Sequence, residues 1–125
     1  WCRIMYNISA LLAALIAVES GGDPNAIGDD GEAVGVLQMH RGVIDDVNRI
    51  FGTDFIYDDR YEEQMSRTIA ILYLSYWGGR FEDNTGMKVT AETYARIWNG
   101  GPNGWNKKST DAYWQKVKEI LEWQQ

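Results

Sequence analysis

With 125 residues, 45% hydrophobic and 24% charged, the chain has the size and composition of a single globular domain over 1–125 with one buried core. Its formal net charge of −6 leaves no clustered cations for a phosphate backbone, so nucleic acid is not an expected partner; the Lys107-Lys108 pair reads as solvated. One cysteine, Cys2, excludes an internal disulfide, and with His40 as the only histidine no metal or other cofactor is expected.

The pattern along the chain is mostly helical. Ile8, Leu12 and Leu15 recur at helical spacing and predict a first helix from about Met5 to Ser20. Ser9 to Val18 could pass for the apolar core of a signal peptide, but it lacks a small-residue cleavage site and is too short to span a bilayer. The chain opens WCRIMY rather than on Met, so we expect it to be cut from a longer product. The run GGDPN ends the helix, and AIGDDGEAVGVLQM then reads as a β-hairpin turning on Asp30-Gly31, flanked by Ala26-Ile27 and Ala33-Val34.

A second helix is predicted from about Gly42 to Phe51, burying Ile44, Val47 and Phe51 and exposing Asp45, Asp46 and Arg49. Asp59 is the expected cap of a long third helix, with a stripe of Met65, Ile69, Leu72 and Tyr76 and an end at Gly78-Gly79. A fourth helix begins after Thr90 and stops at Asn99-Gly100-Gly101-Pro102. Ser109 or Thr110 caps a fifth, whose stripe is Trp114, Val117 and Leu121. Five helices and one hairpin make a predominantly helical α+β domain.

Glu19 stands out in this layout. At about 100° per residue it falls within about 40° of Ile8, Leu12 and Leu15, so it belongs to the buried face of the first helix at its last turn. Partial desolvation and the helix C-terminus both disfavour the carboxylate, which suits a general acid that must hold its proton. The six Trp and seven Tyr are many for this length, and aromatic rings suit stacking on pyranose faces. A Ser-His-Asp constellation carries little weight, because His40 reads as an incidental loop residue.

Four segments in order sharpen this picture: ESGGDPNAIG from Glu19, GVLQM at Gly35 to Met39, IWNGG at Ile97 to Gly101, and TDAYWQKV at Thr110 to Val117. Together they resemble the soluble lytic transglycosylase and goose-type-lysozyme-like domains of the lysozyme superfamily, over most of the chain. The resemblance implies a lysozyme-like fold and a glycosidase acting on the β-1,4 bond between N-acetylmuramic acid and N-acetylglucosamine in peptidoglycan or a related N-acetylhexosamine polymer. It implies Glu19 as the acid and then the base, with Ser20, Gln38, Trp98, Asn99 and Tyr113 placing the substrate. It further implies an extracellular, periplasmic, envelope or phage-associated setting, and we expect a monomer.

Two departures matter. Trp98 stands where the family has a tyrosine, and Tyr94, one turn earlier on the same face, is a candidate to supply the missing hydroxyl. The acidic hairpin GDDGE offers Asp29, Asp30 and Glu32, with Asp29 or Asp30 favoured as a second carboxylate such as hydrolases use. Asp30-Gly31 is equally ordinary turn chemistry, and Asn99 equally suits a helix end. Three alternatives therefore stay open beside the lytic transglycosylase: a hydrolytic muramidase, a chitinase, and a glycan-binding module without catalysis.

Overall fold

The computed structural model describes residues 2–123, with side chains from residue 8 onward. Among them are five α-helices, α1 (Cys2–Glu19), α2 (Arg41–Phe51), α3 (Glu63–Thr85), α4 (Ala91–Gly100) and α5 (Asp111–Trp123), and two short strands, β1 (Ile27–Gly28) and β2 (Ala33–Val34). The fold is thus α+β and mainly helical, lysozyme-like in its element order. Cys2 lies where side chains are not described. The chain divides into two compact units, Ile16–Tyr73 and Trp1–Leu15 with Leu74–Gln125, and the divisions fall inside α1 and α3.

In the Ile16–Tyr73 unit, α1 ends where the glycines follow. The Gly21 amide donates to the Ile16 carbonyl at 3.0 Å with Gly21 at φ 67, a left-handed helix end that glycine adopts without steric cost. The strands are antiparallel, with Ile27 opposite Val34 and Gly28 opposite Ala33. Their connection is not the two-residue turn predicted at Asp30-Gly31. A tight turn over Asp29–Gly31 joins them, and Asp29 and Asp30 sit at φ 49 and 55, which short polar side chains tolerate best. A second reversal of the same length follows at once. Val34 and Met39 exchange backbone hydrogen bonds of 3.2 and 3.0 Å around the four residues Gly35 to Gln38.

Ile44 and Val47 of α2 and Ile69 of α3 are buried as the periodicity predicts, together with Val34, Val36, Leu37 and Met39. Each such side chain contributes about 1.5–3 kcal/mol when fully removed from water. Met65 and Leu72 of the predicted α3 stripe are only half-buried, whereas Ser66, Ala70 and Tyr73 are buried beside Ile69. Phe51 differs from the prediction: it is 41% exposed, because it is the last residue of α2 before the left-handed Gly52 turns the chain away. The cap of α3 also differs. The Asp59 carboxylate accepts from the Ile56 amide at 2.9 Å, closing a short helical turn over Tyr57–Tyr61. It is Glu62 that caps α3, accepting from the amides of Gln64 and Met65 at 3.3 and 3.0 Å.

Tyr73, near the middle of α3, is buried, and that burial, with a smaller contribution from the charge of Asp46, pushes its phenol up to about 12. The folded state therefore favours the neutral phenol, whereas an unfolded tyrosine ionises near 10. This contribution to stability is complete below pH 10 and is lost as pH rises from 10 towards 12. Urea midpoints measured at pH 9 and pH 11 should fall over that interval, and fall less for Tyr73→Phe. An equal fall in the variant would remove Tyr73 as the cause.

In the other unit, α3 runs through Gly78-Gly79 instead of ending there, and stops at Thr85 before Gly86 at φ 73. Gly78 serves close packing: a Cβ there would lie 2.7 Å from Cε1 of Tyr94 and 3.2 Å from Val89. Helix α4 begins after Thr90 as predicted, and Thr90 caps it, its hydroxyl accepting from the Thr93 amide at 3.3 Å. Helix α4 continues to Gly100, and Gly101 (φ 87) is its C-cap, so Asn99 lies within the last turn rather than at the cap. Val117 of α5 is buried, with Trp114 and Leu121 half-buried beside it on the predicted stripe. Thr110 precedes α5, but its single hydroxyl proton is shared between the carbonyls of Gly104 and Lys107, each at 2.8 Å.

Candidate active site

Glu19 is the last residue of α1 and is half-buried, as its place on the apolar stripe requires. The next residue ties this helix end down. The Ser20 hydroxyl donates to the Val36 carbonyl at 2.7 Å and accepts from the Gly22 amide at 3.0 Å. Val36 is in the tight Gly35–Gln38 turn, so the ESGG and GVLQM segments, separate in sequence, are joined through one hydroxyl. Ser20 thus fixes where Glu19 leaves the helix.

Gln38 adopts φ 48 and is half-buried. Its side-chain amide donates to the carbonyls of Ala26 and Gly35 at 3.0 and 3.1 Å. Its Oε1 sits over Gly28, where a Cβ would come within 2.5 Å of it. The two amide protons are therefore spent on the hairpin backbone, and the carbonyl oxygen is the end of this side chain left to address a ligand donor.

Asp29 and Asp30 are exposed at the hairpin tip. The Asp29 carboxylate pairs with His40 Nε2 at 3.0 Å, both side chains being largely solvated. His40 is the N-cap residue of α2 and makes no side-chain cap, so the pair links the hairpin tip to the start of α2. An exposed pair of this kind contributes about 0–1 kcal/mol.

The remaining expected site residues belong to the other unit. Trp98 is half-buried and Asn99 exposed on the last turns of α4, and Tyr113 is half-buried on α5. Tyr94 packs its ring over Gly78, and burial together with the Glu82 charge raises its phenol, which stays neutral. The structure thus brings Glu19, Ser20 and Gln38 together with Asp29 and Asp30 in one unit, and Tyr94, Trp98, Asn99 and Tyr113 in the second. Among the described residues no group of three His, Cys, Asp or Glu is placed to hold a metal ion, and no helix is long and apolar enough to cross a membrane.

Two arginines that the sequence does not single out organise these segments. Arg96 on α4 donates to the Thr110 hydroxyl (2.8 Å) and the Lys107 carbonyl (2.8 Å), and pairs with Glu92 at 2.9 Å and Asp111 at 3.3 Å. Lys107 Nζ in turn donates to the Gly100 carbonyl at 2.7 Å, a cation at the negative end of α4. The Trp98-Asn99-Gly100 corner is thereby fixed to the segment before α5. Arg60 plays the corresponding part in the Ile16–Tyr73 unit. It is 4% exposed, and its guanidinium donates to the carbonyls of Tyr57 (2.8 Å), Met39 (2.9 Å) and Glu32 (3.3 Å). No sequence motif announces either residue, since most of these acceptors are carbonyls, which every residue carries.

Comparison with known proteins identifies the family. Residues 4–121 match the family described as the transglycosylase SLT domain. Among curated proteins, the chain is 45% identical over 40 residues to "Lysozyme" of Magallana gigas, covering 32% of this chain and 29% of that protein. It is 38% identical over 39 residues to "Lysozyme 1" of Crassostrea virginica, covering 31% of this chain and 21% of that protein. The aligned stretches thus span under a third of either relative's length. The family match extends over nearly the whole chain, through both units and every segment described above, and on that ground the chain belongs to the transglycosylase SLT domain family.

Proposed function

We propose that the chain is a single catalytic domain that cleaves the β-1,4 bond between N-acetylmuramic acid and N-acetylglucosamine in peptidoglycan as a lytic transglycosylase. Glu19 is its one essential carboxyl group. Glu19 gives its proton to the glycosidic oxygen as the bond to C1 breaks. The resulting carboxylate then takes the proton of the muramic 6-hydroxyl, whose oxygen bonds to C1 and closes the 1,6-anhydro ring. Glu19 is reprotonated and no water is consumed. Ser20 and Gln38 hold the acid and its surroundings, and Tyr94, Trp98, Asn99 and Tyr113 contact the sugars. Such an enzyme works outside the cytoplasm, free, envelope-bound or phage-borne, and we propose that it does so as a monomer.

The observation that carries this reading is the position of Glu19, half-buried at a helix C-terminus and followed by a serine that anchors it to the Gly35–Gln38 turn. The single-carboxylate chemistry is further supported by Asp29 and Asp30. Both are solvated at the hairpin tip, and Asp29 is paired with His40. The second reading, a hydrolytic muramidase using Asp29 or Asp30 to activate water, is favoured by the lysozyme names of the two relatives.

Mass spectrometry of digested cell wall separates the two. Anhydromuropeptides are the expected product, and muropeptides with reducing ends would replace the transglycosylase by the hydrolase. Turnover of chitin oligomers alone would move the substrate to chitin. Tight wall binding with nothing released would leave a non-catalytic module.

A further inference from the structure

We propose that Arg60 is a positioning residue for Glu19, acting through the Gly35–Gln38 turn and Ser20; this rests on Glu19 being the general acid. A buried guanidinium ordinarily needs a carboxylate beside it, because desolvating an unpaired charge is costly. Among the described residues none pairs with Arg60. Its guanidinium instead donates to three backbone carbonyls, Glu32 before β2, Met39 at the close of the tight turn, and Tyr57 in its own helical turn. The Tyr57 ring faces it at 5.7 Å.

The backbone of Arg60 grips the same turn from its other end. Its carbonyl oxygen lies so close to Gly35 that a Cβ there would overlap it, and the Ser66 hydroxyl donates to that carbonyl at 2.9 Å. The side chain of Arg60 therefore bonds one end of the turn at Met39, and its main chain packs closely against the other end at Gly35. Between these ends is Val36, whose carbonyl receives the Ser20 hydroxyl. The sequence of contacts runs from Arg60 to the turn, from the turn to Ser20, and from Ser20 to the helix end that carries Glu19. Such a link matters to rate because catalysis is sensitive to displacements of the acid on the order of 1 Å.

The test uses Arg60→Met, Arg60→Lys, Ser20→Ala and the Arg60→Met/Ser20→Ala double variant, each assayed on purified peptidoglycan per folded molecule. Arg60→Met should lower kcat about 10- to 100-fold with KM changed by less than about twofold. Arg60→Lys, whose ammonium can still reach a carbonyl, should recover part of that loss. The alkaline limb of the kcat/KM profile, which reports the general acid, should move in Arg60→Met, because displacing the helix end changes the surroundings of Glu19. The double variant should be no slower than the poorer single, because both changes break one connection.

A role confined to stability would lower the melting temperature and leave kcat per folded molecule and the pH profile unchanged. That result, or losses that multiply in the double variant, would overturn the proposal. Should Arg60→Met not fold, Arg60→Lys and Ser66→Ala carry the same comparison. Amide exchange at Gly22, which donates to Ser20, gives a readout independent of activity: it should accelerate in Arg60→Met, and an unchanged rate would break the proposed link. If Glu19→Gln kept full activity, the general-acid reading would fall and the catalytic role of Arg60 with it, while Gly22 exchange would still report the contact itself.

Discussion

Glu19→Gln should abolish cell-wall cleavage while leaving the fold intact, with kcat down about 10²–10⁴-fold, the contribution typical of a general acid–base group. The substitution keeps size, shape and one carbonyl oxygen. It removes the one thing the proposed reaction needs, a proton that can be given to the glycosidic oxygen and taken back. Folding should not suffer. Glu19 is the last residue of α1, where a negative charge opposes the helix dipole, so a neutral amide is at least as well accommodated there. Circular dichroism and the melting temperature should match the parent within a few degrees while released muropeptides vanish. Activity within tenfold of the parent would take the acid role from Glu19. Loss of activity accompanied by unfolding would make Glu19 a structural residue instead. The contrast is the expected one for a functional group placed against local stability.

The positions of Glu19, the hairpin and α4 are legible in the sequence because each depends on local chemistry. An apolar stripe at helical spacing ends on a carboxylate, glycines terminate the helix, and Thr90 with its partner Thr93 opens α4. What the sequence conceals depends on contacts between distant segments. Gly78-Gly79 reads as a helix stop, yet α3 continues through it, and the missing Cβ of Gly78 leaves the space that the Tyr94 ring fills. Asp59 reads as the cap of α3 because it precedes a periodic run. The chain instead makes one extra turn and hands the role to Glu62. Arg60 lies in the polar stretch YDDRY, where no local pattern marks it out, but it is buried and donates to the Met39 carbonyl that closes the Gly35–Gln38 turn. Gln38 reads as a ligand-facing amide, and half of its hydrogen-bonding capacity goes to the hairpin.

Gly35→Ala should be the most damaging single methyl group in the Ile16–Tyr73 unit, costing about 4–5 kcal/mol or more, at the extreme of point-mutant effects. Two penalties combine. Gly35 holds φ 86, a conformation that costs an L-residue about 1–2 kcal/mol. Its Cβ would also overlap the Arg60 carbonyl oxygen and lie 3.0 Å from the carbonyl carbon, both of them backbone atoms that no rotamer change can move. Relief requires Arg60 to retreat, which strains the Ser66 bond to its carbonyl and the guanidinium bond to Met39 together. Gly21→Ala isolates the first penalty, since φ there is 67 and nothing lies within 4 Å of an added Cβ. That variant should lose only about 1–2 kcal/mol. Against a total stability of about 5–15 kcal/mol, urea midpoints should fall slightly for Gly21→Ala and collapse for Gly35→Ala. Equal midpoints for the two would mean that the chain opens the Gly35–Arg60 approach at little cost. In that case the same slack would weaken the connection from Arg60 through Ser20 to Glu19.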